Sequence, residues 1–124
     1  PELAQVGLSE AQARERHGRA EAFSAPLSGN DRAKAEGAED GFVKLVTVKG
    51  RLVGATIVAP GAGDLIATYA LALAAKVPLK TIASFTPAYP TLAEAGKRAA
   101  VSHFAARLDR PWIHRVLNFI KRLP

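Results

Sequence analysis

Two runs rich in β-branched residues, Phe42 to Val48 and Leu52 to Val58, are joined through Lys49-Gly50, and this junction constrains the fold more than any other feature of the chain. A short glycine-containing link ends one strand and starts the next in the opposite direction, so the two runs read as an antiparallel hairpin. The stretches on either side carry helical signals, and those helices must cover the sheet. The expected class is therefore α+β, an antiparallel sheet of about four to five strands covered by helices, rather than a parallel doubly wound sheet.

The remaining elements follow from local punctuation. Leu3 to Leu8 extends as a strand, and Ser9 caps a short helix through His17 that Gly18 ends. Ala20 to Leu27 reads as another strand, and Asn30 to Glu36 as one or two helical turns. Pro60-Gly61-Ala62-Gly63 breaks the second hairpin run, and an apolar helix follows from Asp64 to Lys76. Val77 to Ser84 holds a short turn or helix. The 64–76 helix is apolar almost all round, so it is expected to be buried on more than one side, either as an ordinary core helix or with the sheet on one face and a second subunit on another.

Composition narrows the chemistry. At 124 residues one domain with a real core is expected. The absence of cysteine excludes disulfides, thiolate metal sites and a cysteine nucleophile within this chain. Pro1-Glu2-Leu3-Ala4 lacks the layout of a signal peptide, and no apolar run is long enough to span a bilayer. The expected location is cytoplasmic, membrane-peripheral if the tail described below meets lipid. His17, His103 and His114 are too far apart to form a helical metal pair, so no metal is expected and all three read as surface or capping residues. No serine has the context of a nucleophile elbow. Gly61-Ala62-Gly63 before a helix resembles a phosphate cradle, but Ile66 replaces the third glycine and Asp64 would repel an anion. A tight strand-to-helix turn explains those glycines better.

Charge is distributed unevenly. Residues 1–94 hold ten Lys+Arg and ten Asp+Glu, whereas residues 95–124 hold seven Lys+Arg against Asp109 alone, so the whole net charge of +6 lies in the last quarter. Asp109-Arg110-Pro111 opens a final helix. At about 100° per residue, Trp112, Ile113, Val116, Leu117, Phe119, Ile120 and Leu123 fall on one face, and His114, Arg115, Asn118, Lys121 and Arg122 on the other. Residues 109–124 thus form a basic amphipathic segment, set off from a domain at 1–108. Its apolar face has two destinations: its own domain or dimer mate, or an anionic membrane surface. No nucleic-acid motif accompanies the cations.

Pro87-Ala88-Tyr89-Pro90-Thr91-Leu92-Ala93-Glu94 presents a side chain outward. Pro90 keeps Tyr89 out of the helical region, so the phenol is aimed just ahead of a helix running from Thr91 to about Leu108. Thr91 and Glu94 have the spacing of a capping box. On the residues alone, Tyr89 is a half-buried anchor and Glu94 a cap.

Tyr89-Pro90-Thr91-Leu92-Ala93-Glu94 also resembles the His-Pro-Thr-x-x-Glu segment of the pyridine nucleotide-disulfide oxidoreductases, with tyrosine in place of histidine. Val6-Gly7-Leu8-Ser9-Glu10, Asn30-Asp31-Arg32-Ala33, Gly41-Phe42-Val43-Lys44-Leu45-Val46 and Leu52-Val53-Gly54-Ala55 follow that family's C-terminal dimerisation domain in order. The resemblance covers about residues 1–108 and implies a homodimer. It also implies that Tyr89 and Glu94 are contributed across the dimer to the partner's active site, with Pro90 and Thr91 near its flavin. FAD and NAD(P)H would bind domains upstream of Pro1, and the chain alone would bind no cofactor and be inactive. In the family, the histidine handles thiol protons and the glutamate orients it. A phenol, with a pKa of about 10, is a poor base at neutral pH. The tyrosine therefore points away from a dithiol substrate and towards the mercuric reductase-like members, although the C-terminal cysteine pair of mercuric reductases is missing. The alternative function is a stand-alone dimerising module that uses its basic tail to find a membrane surface or an acidic partner.

Overall fold

The computed structural model describes residues 1–121, apart from the side chains of residues 116 and 117. Four strands, β1 (Glu2–Gly7), β2 (Glu21–Pro26), β3 (Phe42–Val48) and β4 (Arg51–Ala59), form one sheet in the order β1-β4-β3-β2, antiparallel throughout. Six helices accompany it: α1 (Glu10–His17), α2 (Asp31–Glu36), α3 (Ala62–Ala74), α4 (Leu79–Ser84), α5 (Glu94–Leu108) and α6 (Pro111–Ile120). A single 3-10 turn, Leu27–Gly29, precedes α2. The α+β expectation holds, at four strands.

The β3–β4 hairpin closes as its sequence requires. Lys49 (φ 51°) and Gly50 (φ 75°) both occupy the left-handed region between the paired residues Val48 and Arg51. Two positive φ values in a two-residue loop match the right-handed twist of the strands it joins. Side chains alternate from there. Val43 and Leu45 of β3, with Ala55 and Ile57 of β4, are buried, and α3 packs on β1 and β4 while α5 packs on β2 and β3. Lys44 points the other way and pairs with Glu10 of α1 at 2.7 Å. A register shift at Val46/Thr47 buries both of those residues as well. Leu27, Leu45, Ile57 and Leu79 are almost wholly enclosed, each contributing about 1.5–3 kcal/mol of burial free energy.

Helix α1 is capped by Ser9 as expected, and Gln12 completes a full capping box. Ser9 Oγ accepts from the Gln12 amide at 3.2 Å, and Gln12 Oε1 accepts from the Ser9 amide at 2.9 Å. At α5 the expectation needs correction. The helix begins at Glu94 rather than Thr91, and only half of the second box forms. Glu94 Oε2 accepts from the Thr91 amide at 3.2 Å, but Thr91 Oγ1 donates back to the Ala88 carbonyl at 2.6 Å. A threonine hydroxyl has one proton and spends it on the turn behind.

Helix α3 is enclosed on one side only within the single chain. Tyr69 and Ala72 are buried, while Leu71 is 71% exposed on the outer face. The phosphate-like turn at its start is already satisfied, because the Gly63 amide donates to the Glu2 carboxylate of β1 at 3.0 Å. An internal anion therefore takes the place at the helix amino terminus that a ligand phosphate would need. Across the core, Gly96 of α5 lets Tyr69 of α3 approach: a Cβ there would collide with the phenol oxygen. Burial raises the Tyr69 pKa to about 12.

His103 also departs from expectation. It is a core residue, 1% exposed, with its ring edge-on to Phe23 (centroids 4.5 Å apart) and Phe104 (4.9 Å). Neither ring nitrogen has a hydrogen-bond partner among the described residues. Desolvation, aided by Arg107 and opposed by Glu21, lowers its pKa, so the imidazole is neutral in the fold. A lowered folded pKa means that the unfolded chain binds the proton more readily. The contribution of His103 to stability is thus complete above an unfolded pKa of about 6.5 and is lost as pH falls through the lowered value. His103→Leu should flatten this dependence, as read by urea midpoints at about pH 8 and about pH 5. An equal acid loss in parent and variant would remove His103 as the cause.

Candidate functional site

The chain between α4 and α5 carries the site, and the residues just before α5 are tied to the start of α2. Asn30, 2% exposed, caps α2 by accepting from the Ala33 amide through Oδ1 at 3.0 Å. Its Nδ2 donates to the Thr91 carbonyl at 3.0 Å. One buried side-chain amide thus satisfies a helix terminus and a loop that lies 61 residues away in sequence. Arg98 of α5 donates to the Gly29 carbonyl and closes the same junction from the helix side. Together these bonds fix the loop from Ala88 to Ala93 on the body of the domain.

Tyr89 stands on this platform, joined to Pro90 by a cis peptide bond, and its side chain is 70% exposed. Its hydroxyl donates to Asp31 Oδ2 at 3.0 Å. Asp31 lies in the first turn of α2, where the helix dipole favours a carboxylate. The Asp31 hydrogen bond, followed by its negative charge, raises the phenol pKa above the ordinary tyrosine value. The proton therefore stays on Tyr89 at neutral pH, leaving the oxygen lone pairs and the ring face open to solvent. That group accepts a hydrogen bond or orients a neighbour; it does not abstract protons.

Of the four residues singled out in the sequence, Tyr89, Pro90, Thr91 and Glu94, all lie on or next to this platform. Tyr89 and Glu94 are not hydrogen-bonded to each other. Glu94 is engaged with the Thr91 amide, and Asp31 holds the phenol instead. Asn30 and Asp31 have roles that sequence reasoning missed. An Asn-Asp pair before a helix can be read as a cap and first turn, but the 58-residue reach from Asp31 to Tyr89 has no local signature. An open groove runs beside the platform, between Arg32 and Glu36 of α2, the Pro60-Gly61 turn and Pro90 to Leu92. Among the described residues no group of acidic, histidine or cysteine side chains is arranged to hold a metal, and no helix is long and apolar enough to cross a membrane.

Comparison with known proteins adds the family. The family model described as the pyridine nucleotide-disulphide oxidoreductase dimerisation domain matches residues 1–100. The dihydrolipoyl dehydrogenase of Staphylococcus aureus is 43% identical over 102 residues, which cover 81% of this chain and 22% of that protein. The mitochondrial dihydrolipoyl dehydrogenase of Sus scrofa is 41% identical over 101 residues, covering 80% and 20%. Among solved structures, LpdA from Mycobacterium tuberculosis superposes with a TM-score of 0.76 at 30% identity, over 83% of this chain and 23% of that one. The chain thus spans 20–22% of the length of these curated relatives.

The phenol's hydrogen bond can be tested directly, since Tyr69 and Tyr89 are the two tyrosines of the chain. Followed by tyrosinate absorbance, Tyr89 should titrate above its ordinary value and Tyr69 at about 12. Asp31→Asn should bring Tyr89 back towards the ordinary value and leave Tyr69 in place. An unmoved Tyr89 titration would show that Asp31 does not hold the proton.

Proposed function

Because this chain belongs to the pyridine nucleotide-disulphide oxidoreductase family as its dimerisation domain, we propose that it pairs two subunits of a flavin-dependent oxidoreductase and presents Tyr89 to the partner's active site. The observation that carries this reading is the exposed phenol, held on a fixed loop by Asp31 at 3.0 Å, at the position where the family motif has histidine. A tyrosine serving only its own core would not be 70% exposed. Leu71 on α3 and Leu3 on β1, each more than two-thirds exposed, are apolar surface available to a second subunit.

FAD and NAD(P)H belong, on this reading, to the rest of the oxidoreductase. In this chain the Gly63 amide in the first turn of α3 is engaged by Glu2, whereas the Tyr89 ring, Pro90 and Thr91 offer an edge for a flavin to rest against. A bound flavin would supply the electron transfer. Tyr89 would orient the acceptor and exclude water from it, and Glu94 would hold the loop through the Thr91 amide. A phenol that keeps its proton gives no base for a thiol, so the acceptor is one that needs none. This favours mercuric reductase-like chemistry, with a metal ion or another non-thiol acceptor, over a dithiol. The names of the similar dihydrolipoyl dehydrogenases point the other way, and the tyrosine at position 89 is what supports the non-thiol reading.

In the intact oxidoreductase, Tyr89→Phe should lower turnover roughly tenfold, the worth of a hydrogen bond of about 1.4 kcal/mol, without changing FAD content. Tyr89→His should raise activity towards dihydrolipoamide. Unchanged turnover in Tyr89→Phe would return the residue to a structural role, and full dihydrolipoamide activity in the parent would overturn the non-thiol acceptor.

A further inference from the structure

We infer that α6, together with the basic rim at the α5–α6 junction, forms a docking surface for anionic lipid, which would make the protein membrane-peripheral. The inference is independent of the chemistry at Tyr89. Helix α6 lies beyond the family domain and makes no extensive packing contact with another element among the described residues. Trp112 is 60%, Phe119 67% and Ile120 55% exposed, and Leu108 at the end of α5 is 64% exposed. Trp112 and Phe119, seven residues apart, share one face of the helix, which Ile120 extends. In the sequence, Leu123 continues this face and Arg122 the basic one, but both lie outside the described residues.

Charge complementarity identifies the occupant. Arg115 falls on the polar arc of α6, and Lys121 follows directly after the helix. Arg107 and Arg110 at the junction line a cleft with Arg19 and Lys49 of the domain body, and these four make no ion pair among the described residues. The acidic groups nearby are few: Glu21 lines the same cleft, and Asp109 lies 3.8 Å from His114. A helix lying in a membrane interface buries an aromatic and aliphatic face while its cations reach the headgroups, and that is the division seen here. The rim supplies the second attraction that a single short helix needs to remain bound.

Other occupants fit less well. Nucleic acid would satisfy the cations and leave Trp112 and Phe119 in water. A second copy of α6 would bury the apolar face but, having no acidic residue, would bring no anion to Arg107 and Arg110 in the cleft.

The test is sedimentation of the intact protein with vesicles of phosphatidylcholine alone or mixed equally with phosphatidylglycerol. Binding to the anionic vesicles is expected, falling as salt rises. Phe119→Glu and the pair Arg110→Gln, Arg115→Gln should each weaken partition about tenfold or more, with oxidoreductase turnover in solution unchanged as the check on folding. Equal binding to both vesicle types, or full binding by Phe119→Glu, would overturn the inference. So would pelleting without vesicles that Phe119→Glu abolishes, which would identify a second copy as the occupant.

Discussion

The buried side chain of Asn30 is the contact on which the site depends. Its carbonyl oxygen caps α2 and its amide nitrogen holds the Thr91 carbonyl, so the two halves of one group join segments that no helix or strand connects. Both partners are backbone groups in a largely dry junction, where a missing hydrogen bond costs about 1–3 kcal/mol. Removing Asn30 would leave both unsatisfied. Asp31, the next residue, is thereby set where the Tyr89 hydroxyl reaches it. Fold and site are linked through two adjacent residues.

The same economy recurs elsewhere. Glu2 begins β1 and also neutralises the start of α3, so the glycine turn that looks like a phosphate cradle is satisfied internally. Gly96 of α5 leaves room for the Tyr69 phenol of α3, and Ala95, Ala99 and Ala100 are buried on the same helix, which packs on β2, β3 and α4. His103 follows on the same helix as a neutral aromatic group between two phenylalanines. The body of the domain is thus tightly assembled where α5 meets the sheet. Its apolar surface is left open on α3, and α6 stands apart.

Much of this was legible in the residues. Lys49-Gly50 as a hairpin link, Ser9 as a helix cap and Gly18 as a helix end are local signals, and each matches the observed element within a few residues. The ordered motifs carried the family and the fold. What could not be read was non-local. Nothing near Asn30 announces Thr91, nothing near Tyr89 announces Asp31, and His103 shows no sequence sign of burial because the alanine-rich helix around it has no strong apolar stripe. The Thr91 and Glu94 pair illustrates the limit: the spacing of a capping box was present, but the threonine proton had a nearer acceptor at Ala88.

The most direct measurement of the central claim is a crystal structure of the intact flavoprotein with its nicotinamide cofactor. The account requires a two-fold dimer in which Tyr89 of each subunit lies against the flavin site of the other, with Asn30 still holding Thr91 and Asp31 next to the phenol. A dimer in which the loop from Ala88 to Ala93 faces solvent, far from either flavin, would contradict it and leave Tyr89 as a surface residue of a domain that only pairs subunits.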